Sequence, residues 1–115
     1  MYEYKAGLVR VLDGDTVVLS VDLGFNVGVQ EHFRLSNINA PELHGHDPDT
    51  KAAALESKKY LEGLLAAGPL TIRSERRTQE KFGRYLVRIV NGAGVAVNEE
   101  MVKAGHAKTY EGGKR

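Results

Sequence analysis

Leu8-Val9-Arg10-Val11-Leu12-Asp13-Gly14-Asp15-Thr16-Val17-Val18-Leu19-Ser20-Val21-Asp22-Leu23 is the stretch that decides the fold. Alternation at period two puts Val17, Leu19, Val21 and Leu23 on one face of a strand. Leu8 to Leu12 is a shorter apolar run interrupted by Arg10, and Asp13-Gly14 between the two runs supplies turn chemistry. Gly24-Phe25-Asn26-Val27-Gly28 opens the next loop, and a third strand follows from Gln30 to Ser36. Three strands joined by short turns read as an antiparallel meander.

Further out the pattern changes. Asp47-Pro48-Asp49-Thr50 starts a helix, with an Asp or Thr cap and acidic charge at the positive end of the helix dipole. Lys51 to Ala67 continues it, Ala54, Leu61, Leu64 and Leu65 share a face, and Gly68-Pro69 ends it. Leu70 to Arg73 and Tyr85 to Val90 read as two more strands. Asn98 is placed to cap a short helix over Glu99 to Ala104, terminated by Gly105. The expected fold is mainly β: a five-stranded OB-fold barrel with one helix between strands 3 and 4 and a short C-terminal helix. Residues 1–115 read as one domain, since no repeat, low-complexity tract or linker divides them.

Composition excludes little. No apolar run approaches the ~20 residues of a membrane span, so no membrane association is expected. The first residues lack the pattern of a signal peptide. The expected location is therefore cytoplasmic, or secreted after removal of a leader. The absence of cysteine removes disulfides and thiolate metal sites. A net charge of +1 is too small to indicate nucleic-acid binding by itself. Its distribution is permissive, because Arg73, Arg76, Arg77, Lys81, Arg84 and Arg88 cluster and the tail is basic.

Four fragments carry possible chemistry. Asp13-Gly14 suffices for a turn, whereas the second carboxylate, Asp15, is not needed to make one and suits a hard cation. Arg34 lies opposite Phe33 and Leu35 on its strand, so it faces outward when they face the core; a guanidinium there can hold a phosphate with two hydrogen bonds. Arg84 follows the turn glycine Gly83 and can close on the same group. In Asn39-Ala40-Pro41-Glu42 the proline keeps Ala40 extended, and Glu42 is the obvious candidate to orient or deprotonate a water. The Asn39 side-chain carbonyl and the Ala40 backbone carbonyl can both face a cation. His44 and His46 invite a transition-metal reading. With no third ligand placed by the sequence, they read as structural or solvated.

In combination these fragments resemble the staphylococcal nuclease (thermonuclease-like) family over nearly the whole chain. The matching residues are Val11 to Thr16, Phe33-Arg34-Leu35, Ala40-Pro41-Glu42 and Lys81-Phe82-Gly83-Arg84. Val97-Asn98-Glu99, Val102 and Gly105 to Lys108 extend the match. The resemblance implies a Ca²⁺-dependent phosphodiesterase acting on DNA and RNA with low sequence specificity. It casts Arg34, Glu42 and Arg84 as catalytic, Asp15, Asn39 and Ala40 as ligands of one Ca²⁺, and Lys81, Phe82 and Tyr110 as substrate-binding. The expected substrate is single-stranded or frayed nucleic acid, handled by a monomer or a homodimer.

Two departures stand out. Where the family carries Asp, this chain has Asn39, which lowers the charge of the cation site and predicts weaker metal binding. Phe82 stands where the family has a tyrosine, which keeps stacking but loses a hydroxyl. The loss at Asn39 also admits a competing reading: a catalytically weak or inactive binding module for nucleic acid or protein on the same barrel. Retention of Asp15, Arg34, Glu42 and Arg84 together favours the enzyme, because binding alone does not require Glu42.

Overall fold

Alternation in β2 (Thr16–Asp22) delivers Val17, Leu19 and Val21 to the interior of a closed barrel, each at most 3% exposed. The computed structural model describes residues 2–42, 47–74 and 83–110. The barrel runs in the order β1 (Glu3–Asp13), β2, β3 (Gly28–Leu35), β6 (Tyr85–Val90) and β5 (Leu70–Ser74), and β5 pairs back onto β1. Closure removes the exposed strand edges that would otherwise template aggregation. Every pairing is antiparallel except β3 with β6, where Arg34 lies beside Leu86.

Helix α1 (Pro48–Leu65) is the element expected between the third and fourth barrel strands. Asp47 caps it, accepting from the Asp49 N–H at 3.0 Å and from the Thr50 hydroxyl at 3.2 Å. Ala54, Ser57, Leu61 and Leu65 are its buried residues, with Leu64 half-buried at the core margin. Leu23, expected inside with the rest of its strand, lies past the end of β2 at the barrel mouth and is 41% exposed.

The second helix corrects an expectation. Helix α2 (Val97–Lys103) has Ala96 as its N-cap and no side-chain cap, and Asn98 lies inside it. The Asn98 side chain turns inward instead. Its Nδ2 donates to the Ser36 and Val87 carbonyls at 3.0 and 3.1 Å, and its Oδ1 accepts from the Ile89 N–H at 3.0 Å. A buried amide that satisfies three backbone groups contributes more there than as an exposed cap. Gly105, at φ 84°, ends the helix as expected. The Gly105 N–H bonds the Val102 carbonyl and the His106 N–H the Met101 carbonyl, the paired reverse bonds that close a helix C-terminus.

That closure turns the chain into an element the sequence did not announce. Strand β7 (Lys108–Thr109) pairs antiparallel with β4 (Ile38–Asn39), forming a separate two-stranded sheet beside the barrel. Among the described residues no helix is long and apolar enough to cross a membrane.

Candidate active site

The Asp13–Thr16 turn brings the chemistry to one place. A register shift between Val11 and Asp13 breaks the alternation at the end of β1. Consecutive residues Leu12 and Asp13 therefore line the same cleft. Asp13 Oδ1 accepts from the Asp15 N–H at 3.1 Å and tightens the turn.

Asp15 is buried, 7% exposed, and each of its carboxylate oxygens has a partner. Its Oδ1 accepts from the Thr16 hydroxyl at 2.9 Å, and its Oδ2 accepts from the Ala40 N–H at 2.9 Å. Arg34 Nη2 stands 3.5 Å from the same Oδ2 as an ion pair. Such burial is tolerable only with partners of this kind.

Gly14 explains why the turn and the Ala40 loop come together. A Cβ at Gly14 would fall 2.7 Å from the Cβ atoms of both Ala40 and Ser57. Only glycine lets β1–β2, the loop after β4 and helix α1 meet at that point. Two fragments far apart in sequence are pressed into one site by the absence of a side chain.

Arg84 enters from the start of β6, and its Nη1 donates to Thr16 Oγ1 at 3.4 Å. The Thr16 hydroxyl thus accepts from Arg84 while donating to Asp15. Arg34 Nη2 donates onward to Asn39 Oδ1 at 3.0 Å, and the Arg34 guanidinium carbon lies 5.3 Å from the centre of the Tyr110 ring. A continuous chain of contacts runs from Arg84 through Thr16 and Asp15 to Arg34 and Asn39. Phe33 and Leu35 are in the core and Arg34 lies opposite them as expected, but Tyr110, Asp15 and Asn39 surround it there and leave its side chain only 12% exposed.

A cleft of about 750 Å³ opens over this chain, lined by Leu12, Asp13, Thr16, His32, Glu42 and Arg84. Glu42 is exposed on its wall. Asp13, Thr16 and His32 line the cleft without a role assigned from the sequence. Asp13 and Thr16 belong to the matched fragment Val11 to Thr16 and lie beside Asp15. Nothing local marks His32. Burial and the neighbouring Asp15 carboxylate raise the Asp13 pKa from its ordinary 3.8 to about 6. Lys81, Phe82, His44 and His46 lie outside the described residues.

The donors fit a hard cation in kind. Asp13, Asp15 and Asn39 each offer side-chain oxygens, and while burial is the main cause that raises Asp13, the neighbouring Asp15 carboxylate adds to it, a repulsion a cation would relieve. They fit less well in number. Among the described residues no three acidic or histidine side chains converge as a metal cluster.

A closed five-stranded barrel that bears the Arg84–Thr16–Asp15–Arg34–Asn39 contact chain beside a cleft walled by Glu42 is an OB-fold-like domain. The sequence profile of staphylococcal nuclease homologues matches residues 32–115, and the chain belongs to that family. It is 31% identical over 115 residues to endonuclease YhcR of Bacillus subtilis, covering 94% of this chain and 9% of that protein. It is 34% identical over 104 residues to an uncharacterized endonuclease of Escherichia coli O157:H7, covering 90% of this chain and 60% of that protein. Against the thermonuclease of Staphylococcus hyicus it is 23% identical over 101 residues, covering 88% of this chain and 56% of that protein. The chain spans at most 60% of the length of these relatives.

Proposed function

We propose that the chain is a Ca²⁺-dependent nuclease domain that hydrolyses phosphodiester bonds of DNA or RNA with low sequence specificity. The observation that carries this reading is the contact chain Arg84–Thr16–Asp15–Arg34–Asn39 beneath a cleft walled by Glu42. The printed names of the relatives, endonuclease and thermonuclease, point the same way.

The residues divide the work. Arg34 and Arg84 bring fixed positive charge to the phosphoryl oxygens, where negative charge builds as the nucleophile attacks. Glu42 orients a water and takes its proton. Asp15 holds Arg34 by its ion pair, and Thr16 steadies Arg84. Asp15, Asn39 and the Ala40 carbonyl would hold Ca²⁺, which supplies Lewis-acid polarisation of the phosphate when bound. The low specificity belongs to this reading because Arg34 and Arg84 are assigned to backbone phosphate, which carries no sequence information.

The test is cleavage of single-stranded DNA and RNA by the purified chain with millimolar Ca²⁺, repeated with a chelator and with Glu42→Ala. Cleavage that requires both the ion and Glu42 is expected. Binding without metal-dependent cleavage would instead mark a recognition module on the same barrel.

A further inference from the structure

We propose that Tyr110 is a positioning residue for Arg34, holding the guanidinium from behind so that its remaining donors face the phosphate. The proposal rests on the reading of Arg34 as a phosphate-binding group, and goes beyond the substrate contact that the family resemblance implies for Tyr110.

Three observations converge on it. The Arg34 guanidinium carbon lies 5.3 Å from the Tyr110 ring centre, within cation–π range, on a side chain only 12% exposed. Both protein acceptors of Arg34, Asp15 Oδ2 and Asn39 Oδ1, are reached through Nη2. Among the described residues Nε and Nη1 have no acceptor. Nη2 is therefore held by two acceptors and the cation lies in cation–π range of the ring, while the Nε and Nη1 donors are left for an anion. This is how a planar cation is preorganised for a charge that develops only in the transition state.

Tyr110 is itself held by the fold. Its N–H donates to the Asn37 carbonyl at 2.8 Å, and the two residues before it pair with Ile38 and Asn39. Asn37 sits at φ 65°, in the sharp turn that folds β4 back past the end of β3. The β4–β7 sheet thus carries both the acceptor that holds Arg34 at its edge and the ring that holds its face. A lysine at position 34 could approach the ring and one acceptor, but its single ammonium has no separate donors to keep for a phosphate in a fixed plane.

The mechanism separates stacking from a substrate contact. Stacking needs the ring and not its hydroxyl, so Tyr110→Phe keeps it and Tyr110→Leu loses it. The experiment measures kcat and KM on single-stranded DNA at saturating Ca²⁺ for wild type and both variants. It also records the Arg34 Nε–H resonance in protein labelled with ¹⁵N-arginine. Tyr110→Leu is expected to lower kcat about ten-fold with KM within about two-fold, and Tyr110→Phe to retain wild-type kcat within about two-fold. The Arg34 Nε–H should show a ring-current shift in wild type and Tyr110→Phe that disappears in Tyr110→Leu. A Phe variant as impaired as the Leu variant overturns the proposal in favour of a hydroxyl contact. An Arg34 Nε–H at its random-coil position in wild type overturns it even where Tyr110→Leu fails to fold. If the chain cleaves nothing, the resonance still judges the positioning, and the failure belongs to the nuclease reading alone.

Discussion

Arg34 Nη2 donates to Asn39 Oδ1 at 3.0 Å, so the amide that stands where the family carries an acid is occupied in holding an arginine. A carboxylate at this position would grip Arg34 more tightly and add an anionic ligand for the cation. Asn39→Asp is therefore expected to tighten Ca²⁺ binding about ten-fold, measured by titration calorimetry, and to raise cleavage most at limiting metal. Unchanged affinity would show that position 39 does not face the ion.

The contact at Gly14 makes a sharper stability prediction. A methyl group there meets Ala40 and Ser57 at 2.7 Å, and neither neighbour is a flexible side chain that can swing aside. Gly14→Ala should destabilise the fold by about 2 kcal/mol in denaturant unfolding. It should also part the Ala40 loop from Asp15, weakening the 2.9 Å bond between them and lowering activity. A variant as stable as wild type would mean that the three elements tolerate separation.

Asn98 is expected to behave as a core residue. Asn98→Ala takes the acceptor from the buried Ile89 N–H and one donor each from the Ser36 and Val87 carbonyls, of which Val87 still accepts from the Ser36 N–H. About 3 kcal/mol of stability should be lost, several times what an exposed N-cap would lose. Urea unfolding of the single variant distinguishes the two.

Asp13 gives the protein a pH dependence. Its folded pKa of about 6 lies above the ordinary 3.8, so the folded state binds the proton more tightly than the unfolded state does. The contribution of this group to stability is complete below pH 3.8 and is lost as pH rises through about 6. Asp13→Asn should therefore raise stability by about 1 kcal/mol at pH 8 in chelator, a discounted figure because the carboxyl is partly solvated, with the gap closing near pH 4. Thermal unfolding at the two pH values checks the sign.

What could be read from the chain alone were features that local chemistry dictates. Period-two alternation located β2, Asp47-Pro48 located the start of α1, and the Asp13-Gly14 turn located the chemistry. Asp15, Arg34, Glu42 and Arg84 could be singled out because they stand in short fragments at turns and strand ends, and the structure links Asp15, Arg34 and Arg84 in one chain of contacts with Glu42 on the neighbouring cleft wall. What escaped depends on contacts distant in sequence. Asn98 looks like a cap to its neighbours and becomes a core bridge only when β3 and β6 lie beneath it. Strands β4 and β7 are two residues each, too short to show alternation, and each exists because the other does. Thr16 gains its role from Arg84, 68 residues away.

That separation has a consequence for how the activity can be lost. Asp15 and Arg34 belong to the first third of the chain and Arg84 to the last, brought together by the parallel pairing of β3 with β6 and by the closure of the barrel through β5 and β1. On the proposed reading both segments are needed to complete the site, so cleavage of nucleic acid is expected to disappear in step with global unfolding, which activity and circular dichroism followed along one denaturant series would check.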